Sequence, residues 1–381
     1  MLANALASLL SKLSLLRLPN RWKLSSDLAG VILVIILLHV IGWFTIIAIV
    51  APQHIGLGTK AFGIGTGLTA YMLGVRHAFD ADHIAAIDNT TRKLIRQGKR
   101  PHSVGFWFSC GHSSIVFALA VLLALGIHAV AAPVLDENSR LHAITGLIGT
   151  VVSGGFLYLV AALNLVVLYE IWTLFQQVRA GDHPEEDLEH KLRKRGLLSR
   201  LLGRTMSLVS KPWQMFLVGA LFGLGFDTAT EITLLILTGS GAASGLPWYA
   251  VLCLPILFAA GMSLMDTIDG SFMNAAYSWA LVNPARRIYY NLVVTGLSVA
   301  AALLIGTVEF LGLLTDRFDL RGAFWDTISA VDLNSMGFVI ALMFGATWIV
   351  AFLLWKVVDS DIGGGGALRS VAAPSASDDA V

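Results

Sequence analysis

Long apolar stretches separated by short polar ones set the frame of this chain. Residues 28–59 contain no Asp, Glu, Lys or Arg. Comparable runs lie near 30–51, 61–88, 104–128, 143–175, 213–239, 248–282, 288–313 and 334–356. A bilayer is crossed by about 20 apolar residues in a helix, so the pattern predicts an all-α polytopic membrane protein with eight transmembrane helices. The second, fourth and sixth runs are longer than a crossing needs, which predicts tilt or breaks, with Pro255 as one candidate break.

Between the runs, basic residues are strongly biased. The side that holds both termini carries 21 Lys and Arg and the other side four, with Arg76 inside a span, which accounts for all 26. The positive-inside rule then places both termini in the cytoplasm and favours an even number of spans. Residues 1–28, with Lys12, Arg17, Arg21 and Lys23 among leucines, read as a cytoplasmic amphipathic segment at the membrane surface. Residues 29–358 read as one eight-helix transmembrane domain, interrupted by a charged cytoplasmic loop at about 179–211 that reads as a solvated helix. The tail, 359–381, has the Gly-rich and polar composition of a disordered segment.

Composition agrees with this layout. Hydrophobic residues make up 56% of the chain and charged residues 13%, and the mean hydropathy is +0.74; soluble domains are about 25% charged. The net charge of +1 gives no reason to expect a nucleic-acid partner. Cys110 and Cys253 both lie in apolar runs, which fits small buried residues rather than a disulfide framework.

Against this background the ionisable residues inside spans stand out, because charge at membrane depth is costly. The stretch RHAFDADHIAAIDNTTRK, residues 76–93, holds His77, Asp80, Asp82 and His83. The third span adds His112, the fifth Asp227 and Glu231, and the sixth Asp266 and Asp269. His77, His112, Asp227 and Asp266 fall near the centres of their spans, where transporters place substrates. The six carboxylates face Arg76 as the one fixed positive charge at similar depth, so a cationic substrate, protons or both must neutralise the site. Imidazoles beside carboxylates suit nickel, cobalt or zinc better than magnesium or calcium. In a regular helix Asp80 and Asp82 cannot both face the ion, although a break near 80–83 would change that.

Other polar residues have plainer readings. His39 is expected to make an interhelical hydrogen bond, Arg76 an internal ion pair, and Met262 to pack. Asp88 and Arg92 are expected at the cytoplasmic interface, and Glu170 and Glu309 near span ends.

Two short motifs recur in order. FDAD at 79–82 is echoed by FDTA at 226–229, and FSCGHS at 108–113 by FAAGMS at 258–263, offsets of 147 and 150 residues. Nearly equal offsets across three spans are the pattern of a 3+3 inverted repeat, spans 2–4 and 5–7.

Together these residues resemble the NiCoT nickel/cobalt permeases. The H-x4-D-H signature stands as His77, Asp82 and His83; GHSS occupies 111–114, LGFDTATE 224–231, and GM-x3-DT-x-DG 261–270. The resemblance implies uptake of Ni2+ and/or Co2+ across the bacterial cytoplasmic (inner) membrane, with His77, Asp82 and His83 critical for metal. It implies a transported metal ion and no prosthetic group. The chain has no G-x4-GK[ST] loop and gives no sign of an ATPase subunit, so gradient-driven transport is expected. A metal or cation exporter would share the buried acids. An intramembrane metalloenzyme is a third reading, but HExxH is absent and no nucleophile and base stand out.

Overall fold

The structure, a computed structural model, describes residues 26–54, 56–57, 60–99, 101–125, 139–179, 209–225, 228–280, 284–332, 336–350 and 353. The amphipathic N-terminal segment, nearly all of the charged loop and the C-terminal tail lie outside the described residues.

Helices dominate what is described. α1 spans Ser26–Phe44 and runs on as a π-helical segment, Thr45–Val50, and a 3-10 turn, Ala51–Gln53. A minimal antiparallel pair follows, β1 at Gly56–Leu57 and β2 at Lys60–Ala61. Then come α2 (Ile64–His77), α3 (Ala81–Arg96), α4 (Val104–Ala124) and α5 (Arg140–Arg179). α6 (Met215–Phe222), α7 (Ala229–Ala243), α8 (Trp248–Ala280) and α9 (Pro284–Phe318) follow. α10 (Ala323–Ser329) is short, and α11 covers Met336–Val350.

Five of these stretches are long and apolar enough to cross a membrane by themselves: Asp27–Gln53, Val104–Ala124, Ala143–Tyr169, Trp248–Tyr277 and Leu292–Phe318. α6, α7 and α11 belong to shorter apolar helices. Leu33, Ile36, Val40, Ile41 and Phe44 on α1 face outward, a distribution that only an apolar solvent favours. The chain is a multi-pass membrane protein.

The second and fifth apolar runs are each broken into two helices. α2 ends at His77, and α3 starts after Asp80, whose backbone is extended (φ −65, ψ 140) and whose carboxylate accepts the Ala81 N–H at 2.8 Å. An Asp at the N-cap takes up a donor that the helix start leaves unpaired. α6 ends at Phe222, and α7 starts after the extended Thr228. The break in the fifth run is absent from the sequence expectation. Pro255, in contrast, sits inside a continuous α8; neighbouring helices make an interior proline tolerable in a membrane span.

α8 is the central helix and packs against α1, α2, α3, α4 and α7, while α5 and α9 lie along one another. One apolar core joins α2, α4, α6, α7 and α8; a second joins α3, α5, α8, α9 and α11. Close backbone approach is bought with glycine. A Cβ on Gly74 would overlap the Phe258 carbonyl, and one on Gly219 would overlap the Phe108 carbonyl.

Candidate metal centre

The two breaks bring polar ends of half-helices together beside α4. His77 is the last residue of α2, His83 lies in the first turn of α3, and His112 faces them from α4. The three imidazoles are buried, and each offers a ring nitrogen within 4.8 Å of the others. His77 Nε2 lies 2.8 Å from His112 Nε2. His112 Nε2 lies 2.7 Å from Glu231 Oε1, and His77 Nε2 lies 3.9 Å from the same oxygen. The His83 ring packs at 4.7 Å, centroid to centroid, against His77. Phe108 closes one side by edge contact with His83 at 4.7 Å, and Phe258 covers His77 at 5.5 Å.

Threonines of the second break orient this group. His77 Nδ1 meets Thr230 Oγ1 at 2.9 Å, and Thr228 Oγ1 donates to Glu231 Oε2 at 2.9 Å. The second contact turns Glu231 so that its other oxygen faces the histidines. Fixing Nδ1 in this way sets which imidazole nitrogen is presented to a ligand. The buried Nδ1 atoms of His83 and His112 have no hydrogen-bond partner among the described residues. Three imidazoles and one carboxylate are a nitrogen-rich donor set for a divalent transition metal.

The remaining carboxylates divide. Asp80 caps α3. Asp82 accepts the His83 N–H at 2.8 Å through Oδ1 and the Ser153 hydroxyl at 3.1 Å through Oδ2. Asp266 is buried with neither oxygen hydrogen-bonded among the described residues, and Asp269 has one such oxygen, Oδ2. Asp227 lies outside the described residues.

Several plainer expectations change. Arg76 does form an ion pair, with Asp332 at 3.9 Å, but both side chains are about half exposed, so the pair is not internal. Asp88 and Arg92 are buried in a network. Tyr277 donates to Asp88 at 2.7 Å and Ser298 at 2.6 Å, and Arg92 donates to Asn89 Oδ1 at 2.7 Å. Glu309 accepts a hydrogen bond from Ser153 at 3.0 Å. His39 does bridge helices, to Tyr71 at 3.3 Å, and Met262 lies in the apolar core. Sequence reasoning passed over Thr228, Thr230 and Ser153; the two threonines of LGFDTATE were the available signal.

Broken apolar helices converging on a buried His and carboxylate cluster define a membrane protein that handles cations within its helices. The chain belongs to the NicO family, described as high-affinity nickel-transport protein, whose family match covers residues 63–354. It is 60% identical over 322 residues to the nickel transporter NicT of Mycobacterium tuberculosis, covering 84% of this chain and 87% of that protein. It is 41% identical over 327 residues to the high-affinity nickel-transport protein NixA of Helicobacter pylori, covering 83% and 97%. To the cobalt transport protein NhlF of Rhodococcus rhodochrous it is 44% identical over 331 residues, covering 86% and 91%. No solved structure matches the chain. The family is one of transporters, not enzymes.

Proposed function

We propose that this chain is a secondary transporter that takes up Ni2+ and/or Co2+ across the bacterial cytoplasmic membrane. The observation that carries the reading is the cluster of His77, His83 and His112, with ring nitrogens within 4.8 Å of each other. Glu231 completes the first set of ligands, and Asp82 and Asp266 lower the cost of bringing a dication to this depth. Asp80 acts through the helix start that aims His83, while Asp269 belongs to the wider acidic surroundings. The ion exchanges water for the nitrogens of neutral imidazoles. The kinship with proteins named for nickel and cobalt transport supports the same substrates here.

The chain crosses the membrane eight times with both termini in the cytoplasm, the broken pairs α2/α3 and α6/α7 each counting as one crossing. Spans 2–4 and 5–7 form an inverted repeat. Supporting this, each broken helix packs its first half, through a glycine, on the partner repeat: Gly74 on Phe258, and Gly219 on Phe108. Gly219 lies 145 residues after Gly74, and Phe258 lies 150 after Phe108, so the two contacts exchange under the repeat. Rocking of the repeats about the histidines then gives alternating access.

Uptake of radiolabelled Ni2+ into cells, with unlabelled Co2+ and Zn2+ as competitors and a pH gradient imposed or collapsed, tests the proposal. Accumulation above that of cells lacking the chain, reduced by Co2+, supports it. Net loss of metal from preloaded cells on expression would instead mark an exporter.

A further inference from the structure

His77 and His83 stand six residues apart in the chain, which in an uninterrupted helix puts them about 9 Å apart along the axis and about 120° apart around it. Their rings nevertheless meet at 4.7 Å, centroid to centroid. The break at 78–80 closes that distance, so whatever fixes the shape of the break fixes the pair. Within the break the Phe79 N–H donates to the Arg76 carbonyl at 3.1 Å and the Asp80 N–H to the His77 carbonyl at 2.9 Å. The start of α11 touches the same turn from outside.

Three observations join the two. A Cβ on Gly337 would overlap the Phe79 carbonyl oxygen and come within 3.0 Å of the Ala81 nitrogen, so the hydrogen in its place points at the backbone of the turn. Phe338 stacks on Phe79, with ring centroids 4.4 Å apart and planes 17° from parallel. Ile340 and Phe344, three and seven residues after Gly337, are buried in the same apolar core as Ala81, Ile84 and Ala85 of α3. That spacing puts Gly337, Ile340 and Phe344 on one helix face. Gly345 on the same helix has no atom of the described residues within 4 Å of where a Cβ would stand.

We infer that Gly337 and Phe338 are positioning residues for the metal centre: the start of α11 holds the α2/α3 break in the shape that brings His77 and His83 to one ion. This role presupposes the metal-transport reading of the histidine cluster. Neither residue belongs to that cluster, and both act through the turn. Gly337 admits the Phe79 carbonyl against its Cα, and Phe338 holds the Phe79 ring. A side chain at 337 forces the turn to move, because a backbone carbonyl cannot fold aside as the end of a flexible side chain can. His77 ends the helix before the turn and His83 lies in the first turn of the helix after it, so a shift of the turn carries the two imidazoles apart.

The test is initial-rate uptake of radiolabelled Ni2+ by cells making the full chain, over a range of Ni2+ concentrations, with membrane protein quantified in parallel. Gly337→Ala is expected to raise the half-saturating Ni2+ concentration about ten- to a hundredfold, the usual effect of disturbing groups that orient metal ligands, at a maximal rate near that of wild type. Gly345→Ala, the same change on the same helix, leaves half-saturation unchanged. Phe338→Ala shifts it in the direction of Gly337→Ala, and Phe338→Tyr, which keeps the ring, restores it; this pair decides the matter if Gly337→Ala fails to reach the membrane. X-ray absorption at the nickel edge of the purified, Ni2+-loaded variants shows fewer imidazole ligands than wild type, a change that lost stability alone does not produce. Unchanged half-saturation in variants present at wild-type level overturns the inference, as does a fall in maximal rate alone or an equal effect of Gly345→Ala. If wild type itself accumulates no Ni2+, the proposed function fails first; if wild type transports and the variants match it, the role of α11 alone is wrong.

Discussion

His77 and His112 approach each other through their Nε2 atoms, 2.8 Å apart, although they come from different helices. The same His112 nitrogen lies 2.7 Å from Glu231 Oε1. A ring nitrogen of a neutral imidazole carries either a proton or a lone pair. A proton on His112 Nε2 thus has two acceptors competing for it, and without that proton the contact with the carboxylate is repulsive. A metal ion resolves the conflict by taking lone pairs from both nitrogens and the carboxylate. The cluster is arranged for a positive centre that its own side chains do not supply.

Removing a member of this cluster therefore has a graded cost. His77→Ala and His112→Ala are expected to reduce Ni2+ uptake by more than about tenfold, since each deletes a direct ligand, with the protein still in the membrane. Thr230→Val, which removes the partner of His77 Nδ1 and retains the shape, is expected to weaken uptake less. Radiolabelled uptake normalised to membrane protein checks the order.

Asp80 and Asp82 separate by role. Asp80→Asn is expected to keep both stability and uptake, because Asn caps a helix as well as Asp; Asp80→Ala loses about 0.5–2 kcal/mol of stability. Asp82→Asn leaves stability near wild type and lowers uptake. Thermal unfolding of the detergent-solubilised variants, read beside uptake, distinguishes them; equal uptake in both Asn variants contradicts the division.

The buried pair Arg92 and Asp88, 3.4 Å apart on α3, ties that helix to α8 and α9 through Tyr277 and Ser298. Arg92→Met leaves a buried carboxylate without its guanidinium and is expected to cost about 3–5 kcal/mol; Arg92→Met with Asp88→Asn costs less than Arg92→Met alone. Thermal stability of the single and double variants measures this.

Gly74 and Gly219 tolerate no side chain toward the facing backbone carbonyls. Gly74→Val and Gly219→Val are each expected to lower the yield of monodisperse protein in size-exclusion chromatography, whereas Gly30→Val, at a position with open space around it, leaves it unchanged.

Much of the site was legible because charge in an apolar run is conspicuous. His77, His83 and His112 stand in three short motifs, and bilayer cost alone singles them out. The ambiguity between Asp80 and Asp82 came from assuming a regular helix; the chain breaks at Asp80, and that break frees the two side chains for different tasks. The burial of Arg92 is not legible in the pattern, because the apolar run ends near Asp88 while α3 continues to Arg96 and packs on α9. Ser153, Thr228 and Thr230 were passed over because hydroxyl residues are common in membrane helices, where they bond to their own backbone. Their partners are long-range, as Ser153 to Asp82 and Glu309 illustrates, and no local pattern in the sequence encodes them.

The most direct measurement of the central claim is X-ray absorption at the nickel edge on purified protein loaded with one equivalent of Ni2+. Imidazole scattering from two or three histidines together with carboxylate oxygen is expected, with loss of most of that imidazole signal in His77→Ala. A spectrum of oxygen ligands alone, unchanged by His77→Ala, would contradict it.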